Sequence, residues 1–210
     1  MTTGLRFCHL NVRSLLSIND DCLPRKELLF AHCCLDVKYD VIALSETHLD
    51  GSIDSNEIRF DGYTVFRRDR SRAGGGVLFY VRNVLNPVHL SYLHSSHVEN
   101  LFVKVMSNNK QCIFGVCYRP PNQAANEMSV FFEGLNSQLS SINDSNLQDC
   151  PIFLLGDFND RCTQWGIDHQ CSELKFKLVC FAEEFNLVQL VTKPTRGIYI
   201  LDLFFTNCPS

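Results

Sequence analysis

Apolar residues along this chain gather into short runs, and the runs keep delivering one polar group at or near an end. Leu5-Arg6-Phe7-Cys8-His9-Leu10 leads to Asn11. Asp40-Val41-Ile42-Ala43-Leu44-Ser45 leads to Glu46. Cys112-Ile113-Phe114-Gly115-Val116-Cys117 leads to Tyr118, and Pro151-Ile152-Phe153-Leu154-Leu155-Gly156 to Asp157, with Asn159 two positions on. Ile198-Tyr199-Ile200-Leu201 runs into Asp202 and resumes as Leu203-Phe204-Phe205. Runs of this length between Pro, Gly and polar residues predict buried strands.

Three other segments carry a helical period. Residues 24–37 place Leu28, Leu29 and Leu35 behind an initial proline. Residues 126–139 repeat Met128, Phe131, Phe132, Leu135 and Leu139. Residues 172–185 align Leu174, Leu178, Phe181 and Phe185, with Ser172 as N-cap. The polar stretch 140–148 predicts a loop. Strands interleaved with helical stripes predict one domain of two face-packed sheets with helices outside.

One polar strand end is ordinary; five that supply Asn, Glu, Tyr, Asp with Asn, and Asp point to a shared site, because a sheet fixes its strand ends rigidly. On an extended backbone Asp157 and Asn159 face the same side. A carboxylate at the edge of a core is costly unless paired, hydrogen-bonded or metal-bound; the plain alternative is that Asp157 caps a turn. Carboxylates and amides are ligands for a hard cation such as Mg²⁺, with Mn²⁺ as an alternative ion. Asn and Tyr donate to phosphate oxygens. With no Gly-x-x-x-x-Gly-Lys-Ser/Thr loop in the chain, metal-assisted phosphoester hydrolysis fits better than a P-loop nucleotide enzyme.

In this order, Leu10 to Leu15, Leu44 to Leu49, Gly74-Gly75-Gly76-Val77, Tyr118-Arg119-Pro120-Pro121, Gly156-Asp157-Phe158-Asn159, Trp165-Gly166, Lys193-Pro194-Thr195-Arg196 and Leu201 to Asn207 resemble the endonuclease/exonuclease/phosphatase superfamily. The resemblance is nearer to the endonuclease domains of non-LTR (LINE-type) retrotransposons, and it spans nearly the whole chain. It implies a four-layered α+β sandwich of two mostly antiparallel sheets flanked by helices. It also implies Mg²⁺-dependent nicking of target DNA, whose 3′-hydroxyl primes a reverse transcriptase found elsewhere in a full-length element. Glu46 would hold the metal with Asn11 in the same cluster. Tyr118 and Asn159 would contact the scissile phosphate. Asp157 would act at the nucleophile or the leaving oxygen. Asp202 would orient a catalytic histidine.

That histidine belongs to a closing Ser-Asp-His, which does not occur in these 210 residues. The expectation is therefore a domain lacking its last strand or strands, with weak or no activity, and an exposed sheet edge. A truncated or inactive relic that binds nucleic acid or a partner is the competing reading, and an inositol-phosphate or sphingomyelin phosphatase on the same fold a third. His48, two positions from Glu46, reads as a loop histidine or a site neighbour. His9 shares a parity with Asn11 and reads as a satisfied core residue or one lying under the site.

The formal charge of −4 (19 Lys and Arg against 23 Asp and Glu) gives no global argument for nucleic acid. Locally, Arg67, Arg68, Arg70 and Arg72 crowd one stretch, and Arg119 and Arg196 flank motifs. Arg68, Arg70, Arg119, Thr192 and Arg196 are therefore candidates to contact DNA; a solvated Gly-rich loop or a plain loop threonine are the alternatives. Eleven cysteines, an odd count with several inside apolar runs and no Cys-x-x-Cys, read as buried free thiols in a reduced, intracellular setting, with the nucleus as the site of action for a retroelement nuclease. No stretch approaches transmembrane length.

Overall fold

The computed structural model describes residues 4–19, 23–165 and 172–209. Strands β1 (Phe7–Asn11), β2 (Val41–Ser45), β3 (Tyr63–Arg68) and β4 (Val77–Arg82) form a sheet in the order β1-β2-β4-β3. Strands β5 (Val88–His89), β6 (Glu99–Ser107), β7 (Lys110–Tyr118), β8 (Ile152–Asp157), β9 (Val188–Gln189) and β10 (Asp202–Thr206) form a second, ordered β5-β6-β7-β8-β10-β9. Within them β1–β2 and β7–β8 are parallel and the other pairs antiparallel.

Side-chain alternation along the strands builds the layers. In β2 and β4, Val41, Ala43, Val77, Phe79 and Val81 enter a core between the sheets, while Ile42, Leu44, Leu78 and Tyr80 face an outer core. In β7 and β8, Phe114, Val116 and Leu155 face the first sheet, and Ile113, Cys117, Ile152 and Leu154 the opposite side. Phe7, Phe114, Phe153 and Phe204 bind the two sheets through ring contacts 4.8–5.5 Å apart. Helices α2 (Ala125–Asn143) and α3 (Glu173–Glu184) cover the second sheet. Residues 25–36 cover the first. The result is the four-layered sandwich expected.

Three local expectations change. The first helix is α-helical only over α1 (Arg25–Leu29) and widens to a π-helix at Phe30–Asp36. Leu29 and Cys33, four residues apart, are the buried face, while Leu28 and Leu35 are exposed. Second, α2 continues to Asn143, because Ile142 is fully buried and extends the apolar stripe by one turn into the expected loop. Third, residues 198–201 are not strand; a tight turn pairs Arg196 with Tyr199 and β10 begins at Asp202. Ser172 caps α3, its hydroxyl accepting from Lys175 N at 3.1 Å. All nine described cysteines are free thiols. Among the described residues no helix is long and apolar enough to cross a membrane.

Candidate active site

Strand parity and register bring the polar strand ends together. Asn11 is registered with Ser45, Tyr118 with Asp157, and Asp157 with Asp202. Asp202 arrives at the same end as Asp157 because β10 runs antiparallel to β8. Asn11 shares the parity of Phe7, Tyr118 that of Phe114, Asp157 that of Phe153, and Asp202 that of Phe204. The site is therefore one end of the layer between the sheets, where the aromatic core gives way to polar groups.

At its centre the Asn11 amide donates to Glu46 Oε1 at 2.9 Å and to Asp157 Oδ2 at 2.8 Å. Each bond to a charged acceptor contributes about 1.5–3 kcal/mol. Asp157 is only 3% exposed; burial raises its pKa, with Asp202 adding to the rise and Asn11 opposing it. Its second oxygen accepts from Asn159 N at 2.9 Å. Asn159 does not reach this point by strand alternation. β8 ends at Asp157, Asn159 has φ 50°, and the chain folds back. Its amide donates to Arg119 O at 2.8 Å, leaving one amide hydrogen.

Glu46 sits just past β2 with φ 52°, and His48, Arg13 and Ser14 also have positive φ (53°, 42° and 79°). Left-handed non-glycine residues cost about 1–3 kcal/mol each and collect at functional sites. His48 Nε2 lies 3.5 Å from Glu46 Oε2, so His48 is a site neighbour and not merely a loop residue. Burial raises the pKa of the Tyr118 phenol, and hydrogen-bonding contact with Glu46 adds to it; the hydroxyl is a proton donor throughout the physiological range.

His9 forms the floor of the site. Its Nδ1 is 3.2 Å from Asp202 Oδ1 and its Nε2 3.1 Å from Ser45 Oγ. Nδ1 meets the carboxylate as a close polar contact and not as an aligned hydrogen bond, while Nε2 and the serine hydroxyl take complementary donor and acceptor roles. Burial acts to raise the Asp202 pKa, but His9, Thr195 and Arg196 together outweigh it and hold the value below the ordinary carboxylate range. The shared parity of His9 and Asn11 was the signal for this placement. Thr195 Oγ1 accepts from both Leu201 N and Asp202 N at 3.1 Å. Thus Thr195 lines the cleft, which Thr192 does not. The cleft, about 420 Å³, runs along His9, Asn11, Arg13, Asp157, Thr195, Arg196 and Asp202.

The other cationic candidates separate. Arg68 is committed inward, donating to Val98 O, to Ser95 O at 2.6 Å and to Asn100 O at 3.3 Å. Arg119 is buried, its Nη1 donating to Phe158 O at 3.1 Å. Both guanidinium groups are thus tied to backbone carbonyls, although Arg68 also lines a cavity beside Arg70, Glu99 and Tyr118. Arg70 is partly exposed and its guanidinium lies 5.7 Å from the centre of the Tyr118 ring. Arg196 is exposed on the cleft wall. Trp165 packs against Phe205 at 5.5 Å, while Gly166 and His169 lie outside the described residues.

The donor set suits a hard divalent cation. Glu46 and Asp157 are carboxylates that both accept from the one Asn11 amide. Among the described residues no three or more His, Cys, Asp and Glu side chains converge into a cage. Mg²⁺ does not require one, since it keeps waters and uses one or two carboxylates plus substrate phosphate.

A family profile for the Endonuclease/Exonuclease/phosphatase family matches residues 8–207, and the chain belongs to that family. Family and fold are those of nuclease- and phosphatase-type hydrolases. Among solved structures it is similar to the endonuclease domain of TRAS1, a telomere-specific non-LTR retrotransposon (TM-score 0.65, 16% identity, covering 96% of this chain and 84% of that one). It is also similar to the human Nocturnin catalytic domain (0.66, 14%, 97% and 81%) and to an AP endonuclease from Archaeoglobus fulgidus (0.65, 13%, 97% and 87%). No curated protein matches.

Proposed function

We propose that this chain is the endonuclease domain of a non-LTR retroelement, hydrolysing one phosphodiester bond of target DNA with Mg²⁺ as cofactor, or Mn²⁺ in its place. The observation that carries the reading is the Asn11 amide held 2.9 Å from Glu46 and 2.8 Å from Asp157, beside a protonated Tyr118. This is a constellation of oxygen ligands and phosphate donors; the serine at its floor, Ser45, is fully buried beneath His9 and not offered to a substrate.

Glu46, with the Asn11 carbonyl once the amide turns, would hold the cation. When bound it would neutralise charge gathering on the phosphate. Tyr118 donates its hydroxyl proton in a hydrogen bond to a phosphate oxygen, and the free amide hydrogen of Asn159 does the same. Asp157 has a raised pKa, which suits it to move a proton at the nucleophile or the leaving oxygen. Arg70 and Arg196 supply positive charge at the two sides of the site for the DNA backbone. The 3′-hydroxyl left by the nick would prime a reverse transcriptase in the full-length element, an event that belongs in the nucleus.

The test is nicking of supercoiled plasmid in Mg²⁺. The assay compares the 210-residue chain and a version extended with a family Ser-Asp-His segment, each with and without Glu46→Gln. Nicking in either form that disappears in Glu46→Gln supports the reading. Folded protein that nicks in neither form overturns it in favour of a binding module.

A further inference from the structure

Glu99 opens β6 directly opposite Tyr118 in the antiparallel register, yet no motif in the sequence draws attention to it. Its side chain is 13% exposed, and both oxygens are used. Oε1 accepts from Gly76 N. Oε2 accepts from Arg70 Nη1 at 3.1 Å.

Each bond continues toward the site. On the first arm, Gly76 O accepts from Thr47 N at 3.2 Å and Gly75 O from His48 N at 2.9 Å. These are the two residues that follow Glu46, in the turn where Glu46 and His48 are left-handed. Gly76 has φ 88°, and a Cβ there would stand 2.4 Å from Thr47 Oγ1, so the strand meets this turn without a side chain between them. On the second arm, Arg70 also donates from Nε to Gly74 O at 2.9 Å. That holds its guanidinium 5.7 Å from the Tyr118 ring centre, within cation–π range.

We infer that Glu99 is a positioning residue, a single carboxylate that fixes the Glu46 turn through Gly76 and the face of Tyr118 through Arg70. The inference rests on the roles proposed above for Glu46 and Tyr118. It explains why an acid occupies a place where burial penalises its charge. A neutral amide could satisfy Gly76, but only a carboxylate both satisfies Gly76 and holds Arg70 over the ring. Displacing reacting groups by as little as an ångström is enough to lose about a hundredfold in rate, so a brace of this kind acts on turnover without touching DNA.

Two variants separate the arms. Glu99→Gln keeps an acceptor for Gly76 and loses the ion pair with Arg70; Glu99→Ala loses both. In the folded proteins, amide hydrogen exchange at Thr47 and His48 should be unchanged in Glu99→Gln and at least about tenfold faster in Glu99→Ala. In whichever form nicks plasmid, Glu99→Ala should lower kcat by about 10–100-fold, with any change in KM for DNA no larger than that of Arg70→Ala. Glu99→Gln should fall between. A general loss of stability would instead lower the folded fraction and leave kcat per folded molecule alone. Exchange in Glu99→Ala within twofold of the parent overturns the brace, as does an unchanged kcat. If no form nicks, the nuclease reading fails, and the exchange measurement still decides whether Glu99 holds the turn.

Discussion

His9 Nδ1 lies 3.2 Å from Asp202 Oδ1, joining the first strand of one sheet to the first residue of a strand in the other. Asp202 was expected to orient a histidine from a later segment. In this structure its partner is a histidine near the start of the chain, steadied on its other side by Ser45. Thr195 fixes the Asp202 backbone, so the carboxylate is held from two directions.

Asp202 therefore gives a stability change with a definite pH dependence. Its folded pKa is depressed, the contacts with His9, Thr195 and Arg196 exceeding the effect of burial. A depressed acid stabilises the fold above its unfolded pKa of about 3.9 and loses that contribution as pH falls through the folded value. Asp202→Asn should cost about 2 kcal/mol at pH 7, with the gap to the parent narrowing below about pH 5. Urea unfolding of both proteins across this range checks it; a gap independent of pH would show that the charge on Asp202 is not its origin.

Cation binding should be visible without catalysis. Mg²⁺ or Mn²⁺ at a hundred times its Kd should stabilise the parent by about 2.7 kcal/mol. Glu46→Gln should lose most of that increment while remaining folded. Thermal melts with and without each ion make the comparison, and equal shifts in parent and variant would remove Glu46 from the ligand set.

Gly156 is predicted to tolerate no side chain. A Cβ there would lie 1.9 Å from the Cys117 carbonyl oxygen in the neighbouring parallel strand. Gly156→Ala must push β7 and β8 apart, immediately before Tyr118 and Asp157. A loss of at least about 2 kcal/mol is expected, in the upper range of overpacking, together with loss of activity. Wild-type stability in chemical denaturation would contradict the packing described.

The arginines should divide by what they touch. Arg196→Ala should weaken DNA binding and reduce the salt slope of log K by about one. Arg68→Ala should leave the slope alone and destabilise the fold by about 1–3 kcal/mol, since three backbone carbonyls lose their donor. Fluorescence anisotropy over a salt series, paired with unfolding curves, distinguishes the two outcomes.

The layers were legible because β2, β7 and β8 are apolar on both faces, as strands buried in a sandwich must be, whereas β3, β4 and β6 were not among the runs that a polar strand end singled out. The gathering of Asn11, Glu46, Tyr118, Asp157 and Asp202 was legible from repeated polar strand ends. What escaped was set by tertiary contacts that local pattern does not encode. The left-handed backbone at Glu46 and Asn159 has no local signature, because neither Glu nor a lone Asn demands it. Arg68 and Arg70 are near neighbours in sequence, yet the fold turns one inward to carbonyls and the other toward Tyr118. Thr195, three residues after Thr192, is the one that bonds the backbone of Leu201 and Asp202, a contact made across the turn that no local pattern marks. Leu28 and Leu35 are exposed beside buried Leu29 and Cys33 because packing on the first sheet chooses between helix faces that the leucines alone leave equivalent.

The Asn11–Asp157 bond joins residues 146 apart in sequence and crosses from one sheet to the other. A nascent chain that has emerged only to residue 150 already holds Asn11, Glu46 and Tyr118. It does not yet have the strand carrying Asp157, or the one carrying Asp202. The candidate site thus comes into being only once the strands that carry Asp157 and Asp202 have followed the first 150 residues out.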